Sequence, residues 1–88
     1  MAKYISMLRI RVLTLQEQLY EGEAAQITAP GSEGQFTVLP GHLPMLTTLS
    51  KGALMIVDSN KHEEFVEIPS SGIFELDAEG TATVLIQS

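Results

Sequence analysis

Residues 73–86 read IFELDAEGTATVLI. The segment Asp77–Gly80 carries turn chemistry and is flanked by two apolar arms, Ile73–Leu76 and Thr81–Ile86. In the second arm Ala82, Val84 and Ile86 alternate with Thr81, Thr83 and Leu85. Side chains of a strand point to opposite faces in turn, so a period of two marks a strand with one face toward a core. Two such arms around a short polar break form the unit from which the rest of the chain is read.

The same unit recurs in both directions. In LRIRVL, Leu8, Ile10 and Val12 share a face and Arg9 and Arg11 stand between them. TLQEQ interrupts the pattern and LYEGEAAQITA resumes it, with Gly22 read as a bulge or tight bend. QFTVL, with Phe36 and Val38 on one side, is a short strand, and MLTTL is another. SKG reads as a turn into ALMIVD, SNK as a hairpin turn, and PSSG as a further turn after HEEFVEI. In ALMIVD, Leu54 and Ile56 share one face and Met55 and Val57 the other, so both faces need a cover. For the outer face that cover is either another protein or a neighbouring loop. No window holds a period of 3.6 over ten residues. Turn signals spaced by about 8–12 residues or less define an all-β sandwich or barrel.

The 88 residues suit one domain, 1–88. A chain of this size buries about 60–70% of the surface its unfolded form exposes, so a partner surface would help it. Five Lys and Arg stand against eleven Asp and Glu, a net charge of −6. That balance argues against nucleic acid and against insertion into anionic lipid, both of which need a basic face. Cysteine is absent, which excludes disulfides and thiolate metal sites and suits a reducing compartment. No apolar run approaches the ~20 residues of a membrane helix. MAKYISMLRIRV has neither a signal-peptide core nor transit-peptide character, which suits a soluble, reducing compartment.

Catalysis would need a nucleophile, a base and an orienting group within reach of one another. His42, His62, the carboxylates and the scattered Ser and Thr show no such spacing. His62-Glu63-Glu64 looks metal-like, but adjacent Glu residues on a strand face opposite ways, and a solvated strand end accounts for it. No cofactor site is expected. GSEG places Glu33 where a phosphate cradle would need to be free of negative charge, so the segment reads as a turn needing positive φ at Gly31 or Gly34. Glu33 then stands at a loop tip. In LPGH, Pro40 presets one turn dihedral and Gly41 supplies positive φ, a type II pattern. Pro44 holds Leu43 extended, so His42 sits on a stiff loop where it bonds the local backbone or meets a partner.

The stretch YEGEAAQITAPGSEGQFTVLPGHLPMLTTLSKG closely resembles the epsilon subunit of the rotary proton-translocating ATP synthase. The APGSEG loop, the LPGH-x-P turn and the Gly-ended LTTLSKG occur in that family's order and spacing. The resemblance runs from about Leu8 to Ile86. Leu15 stands where the family often has proline, and PSSG replaces a commoner Ser-Gly-Gly turn. The resemblance implies a flattened two-sheet β-sandwich of about ten short strands, here without the helical hairpin that usually follows it. It implies a non-catalytic rotor part that binds the gamma subunit and the ring of c subunits, peripheral on the cytoplasmic face of a bacterial inner membrane. Ser32, Glu33 and Gln35 match the ring-facing loop. His42, Met45, Leu46 and Thr47 match the part that faces gamma, with Met55 and Val57 assigned to the same covered region. Gly31, Gly34, Pro40, Gly41 and Pro44 form the turns. Without the hairpin, neither inhibition of hydrolysis nor ATP binding is expected. The competing reading is a free-standing sandwich module for sugar or peptide. That module would need an exposed platform from Tyr4, Tyr20, Phe36, Phe65 and Phe74.

Overall fold

The computed structural model describes residues 7–87. They form seven strands: β1 Leu8–Leu13, β2 Gln18–Ala24, β3 Gln26–Gly31, β4 Gly34–Val38, β5 Met45–Val57, β6 Glu63–Leu76 and β7 Thr81–Gln87. They join into one sheet in the order β2-β1-β7-β6-β5-β3-β4. Neighbours are antiparallel except β1 and β7, which run parallel with Ile10 opposite Ala82 and Val12 opposite Val84. The all-β reading holds, and the count of about ten strands becomes seven because two strands are long.

Each long strand contains a segment that the sequence reads as a turn. SKG lies within β5 and PSSG within β6. Their ladder runs from Met45↔Leu76 to Ser50↔Ser71, then shifts and resumes as Gly52↔Ile68 through Val57↔Glu63. Lys51 is extra on one strand, Pro69 and Ser70 on the other. Pro69 has no N–H to contribute, and a ladder break is where a strand tolerates that. Gly52 is needed at the same place, because a Cβ there would come 2.9 Å from the Pro30 Cβ. The extra residue also flips the phase of β5. Leu49 is buried before the break, Leu54 and Ile56 after it.

The break folds the sheet onto itself. One layer holds β2, β1, β7 and the adjoining halves of β6 and β5. The other holds β3, β4 and the remaining halves. Phe36 on β4 and Phe74 on β6, separated in the sheet by β5 and β3, meet edge to face with ring centroids 5.3 Å apart at 83°. Strands that far apart in one sheet touch only if its two ends lie face to face.

A single core fills the space between the layers. Leu8, Ile10 and Val12 from β1 meet Ile27, Val38, Leu54, Ile56, Ile68, Phe74, Leu76, Val84 and Ile86 from the others. Fully burying a side chain of this size stabilises by about 1.5–3 kcal/mol relative to exposure. On the outer surface of β3 and β4, Thr28 pairs with Thr37 through hydroxyls 3.0 Å apart.

LYEGEAAQITA spans β2 and β3, because the chain turns a corner at Ala25 and passes from one layer to the other. Gly22 makes no bend; it pairs regularly with Ile10, and the Tyr20 ring lies over it. The irregularity in this pair falls instead between Val12 and Leu13.

Candidate partner-binding surfaces

Ser32 and Glu33 form the two-residue tip of a hairpin in which Gly31 pairs with Gly34. Gly34 has φ +129°, so one of the two expected positions takes positive φ. Gly31 is needed for a different reason: a Cβ there would meet the Gly34 carbonyl oxygen at 2.6 Å and the Phe36 ring at 2.9 Å. The tip is anchored. The Ser32 amide donates to the Thr48 carbonyl at 3.0 Å, and the Thr48 hydroxyl donates to Ser32 Oγ at 2.9 Å. The Ser50 hydroxyl donates to the Pro30 carbonyl at 3.3 Å. Ser32, Glu33 and Gln35 are all exposed. Neither ion pair among the described residues, Arg9–Glu21 or His62–Asp58, involves Glu33. The Glu33 carboxylate thus stands exposed on a pinned tip.

The Leu39–His42 turn closes as its sequence predicts. The His42 amide donates to the Leu39 carbonyl at 3.1 Å, and Gly41 has φ +88°. His42 Nδ1 lies 2.7 Å from the Leu43 carbonyl oxygen, so the ring is held to its own loop while staying exposed. Met45 and Thr47 are half-buried, on the side of β5 that carries Leu49. Leu46 points the other way and is 72% exposed. Leu43 is 78% exposed and Leu39 about half exposed. The structure thus adds Leu39 and Leu43 to this surface. Their place beside two prolines and a glycine was the available signal, since a stiff loop leaves large apolar groups nowhere to fold back.

Met55 and Val57 are half-buried and lie beyond the phase flip, on the layer with β3 and β4. Leu46 lies on the outer side of the other layer, opposite Glu75 of β6. The apolar stripe and the Leu46 surface are therefore separate, which corrects their assignment to one covered region.

His62 belongs to a turn. Asp58 Oδ1 accepts from the amides of Asn60 at 2.8 Å and His62 at 2.9 Å, and Lys61 takes φ +66°. The His62 amide bond, with help from Asn60 and the nearby imidazole, holds the Asp58 carboxyl below its usual range. The Asp77 turn is built alike, with Oδ1 accepting from Glu79 and Thr81 and Gly80 at φ +85°. These contacts occupy the polar groups in local structure. Among the described residues no group of three His, Asp or Glu could hold a metal. Of the aromatics, Phe74 is buried, Tyr20 and Phe36 pack on the core, and Phe65 is exposed. Tyr4 lies outside the described residues. No aromatic platform is assembled among the described residues. A groove of about 550 Å³ lies between Thr14–Gln16 and the Ser70–Ser71 bend, beside Leu85 and Gln87.

What remains is a two-layer all-β domain with stiff loops that present side chains outward. The family described as "ATP synthase, Delta/Epsilon chain, beta-sandwich domain" matches residues 7–88, and the chain belongs to it. ATP synthase epsilon chains of Psychrobacter arcticus and Psychrobacter cryohalolentis are each 39% identical to it over 69 residues, 78% of this chain and 49% of theirs. The chain thus spans about half the length of the curated relatives it matches. Among solved structures, a chain of the Euglena gracilis mitochondrial ATP synthase (OSCP/F1/c-ring, rotational state 1) superposes with a TM-score of 0.87 at 21% identity, over 97% of this chain and 53% of that one. One from the central stalk and c-ring of the Tetrahymena thermophila mitochondrial ATP synthase gives 0.72 at 16% identity, over 92% and 63%. At these identities the likeness establishes the fold.

Proposed function

We propose that this chain is the sandwich domain of a central-stalk epsilon subunit in a rotary ATP synthase. In this reading it is a single non-catalytic domain that binds the gamma subunit and the c-ring, so that proton-driven rotation of the ring is passed to gamma. It sits at the cytoplasmic face of a bacterial inner membrane, held there by the complex. The family match over residues 7–88 carries this reading. The packing suits it: a closely packed interior has low compressibility, so the domain transmits force with little yielding.

Within that role, Glu33 and Gln35 meet basic or amide groups of the ring, with Ser32 fixing the tip through Thr48. His42 and Leu46 meet gamma directly. Met45 and Thr47 support them from the core side of β5, and Gly31, Gly34, Pro40, Gly41 and Pro44 hold the two loops in shape. A single exposed ion pair contributes about 0–1 kcal/mol, so Glu33 sets register more than affinity.

The test is capture from membranes with the tagged chain. Gamma and ring subunits should be retained together, and their absence from the eluate would overturn the reading. Glu33→Lys in the assembled enzyme should lower ATP synthesis per proton translocated while leaving the domain's thermal unfolding unchanged. Undiminished coupling in that variant would remove Glu33 from the ring contact.

A further inference from the structure

The β3–β4 hairpin lies across the bend that folds the sheet. Gln26, Ile27 and Thr28 of β3 pair with Val57, Ile56 and Met55, in the second half of β5. Gly31 pairs with Leu49, in the first half. From Thr28 to Gly31 is three positions, while from Met55 to Leu49 is six, so the hairpin takes a short cut from one layer to the other. Pro30 sits over the bend, close against Gly52.

The ladder is interrupted at this crossing, and Pro30 has no N–H with which to complete it. Two hydroxyls of β5 supply the missing links. Ser50 donates to the Pro30 carbonyl at 3.3 Å, and Thr48 donates to Ser32 Oγ at 2.9 Å. The main-chain bond from the Ser32 amide to the Thr48 carbonyl lies beside them. β4, the other arm of the hairpin, ends the sheet among the described strands, so no second neighbour steadies the tip from that side. The Ser32–Glu33 tip is therefore held to the body of the domain through β5.

β5 carries more than this latch. Over Met45–Ser50 it exposes Leu46, Thr48 and Ser50, while Leu49 is buried and Met45 and Thr47 are half-buried. Successive residues on one side of a strand lie about 7 Å apart. The hydroxyl that holds the tip thus stands one outward position from Leu46. We propose that Thr48 and Ser50 are positioning residues of the rotor, whose hydroxyls latch the ring-facing tip to the strand that carries the gamma-facing Leu46, so that the two contacts move as one piece. The proposal rests on the contacts assigned above to Glu33 and Leu46. A tip tied by one main-chain bond can swing about it. Further bonds at Ser32 and at Pro30 remove that hinge, and force on Glu33 reaches β5 directly instead of bending the edge strand.

The test compares two double variants. Thr48→Val/Ser50→Ala removes both hydroxyls and keeps side chains that a strand accepts; Thr48→Ser/Ser50→Thr exchanges the residues and keeps both hydroxyls. In the whole chain, hydrogen exchange followed by NMR should show the Ser32 amide losing protection roughly tenfold in the first variant, with the amides of Ile27 and Ile56 unchanged. In the assembled enzyme that variant should lower ATP synthesis per proton translocated, with gamma retained as in the native complex. The exchanged pair should restore both readings. An unchanged Ser32 amide would overturn the latch, and an exchanged pair that restores nothing would assign the effect to side-chain volume and overturn it equally. Lost coupling in Glu33→Lys beside full coupling in the hydroxyl-free variant would overturn the positioning role and leave the ring contact standing. Full coupling in both would remove the ring contact itself, and the proposal with it.

Discussion

The contact between Phe36 and Phe74 joins two strands that are not neighbours in the sheet, so it measures whether the sheet folds over itself. Phe74 is fully buried, and its ring meets Phe36 edge to face at 5.3 Å. Phe74→Ala would cost about 3–5 kcal/mol through lost transfer energy and the cavity left behind. A domain of this length has a total stability of roughly 4–13 kcal/mol, so that variant risks unfolding outright. Leucine is the better probe. Each single Phe→Leu change keeps much of the volume and should cost about 1–2 kcal/mol. The edge-to-face geometry adds about 0.5–1.5 kcal/mol beyond area burial, and only a double-mutant cycle isolates that part. The double variant should accordingly be more stable than the sum of the singles predicts, by that amount. Urea unfolding followed by far-ultraviolet circular dichroism suits the measurement, because the chain has no tryptophan. The midpoint should move at constant slope. Additivity within about 0.3 kcal/mol would mean that the rings do not meet, and the two-layer arrangement would fail with them.

Two glycines near the loops separate backbone strain from steric clash. Gly41→Ala places a side chain at φ +88° with nothing within 4 Å, so torsion alone should cost about 1–2 kcal/mol, read as a lower unfolding midpoint with the core's amide spectrum unchanged. Gly31→Ala forces its Cβ against the Gly34 carbonyl oxygen and the Phe36 ring, so it should shift the core resonances of Phe36 and Phe74 as well; a purely local response would contradict the packing described for the hairpin. The Asp58 carboxyl is lowered in the folded state, so its contribution to stability is fully present above its unfolded value and is lost as the pH falls through the folded one. The stability gap between the native chain and Asp58→Ala should be constant from about pH 8 to pH 5 and should narrow in more acid solution. A gap that widens in acid would reverse the assigned sign.

Local chemistry was legible along the chain wherever a few adjacent residues decide the conformation. The alternation in Leu8–Val12 and Ala82–Ile86 marks their buried faces, because a strand's period is a backbone property. Pro40-Gly41 specifies its turn, and Asp77 and Gly80 theirs, because ring closure, positive φ and a capping carboxylate act within four residues. The loops with Glu33 and His42 were legible for the same reason, and the family they resemble is the one whose description the chain matches. The tertiary structure alone decided the rest. SKG and PSSG look like turns, yet each is a bend inside a long strand, since a break in pairing leaves the same small and proline residues as a reversal of the chain. The phase flip at Gly52 puts Met55 and Leu46 on different layers. The parallel pairing of β1 with β7 joins residues some seventy positions apart. These features depend on which strand lies beside which, and that is settled by packing between distant segments rather than by the preferences of any one of them.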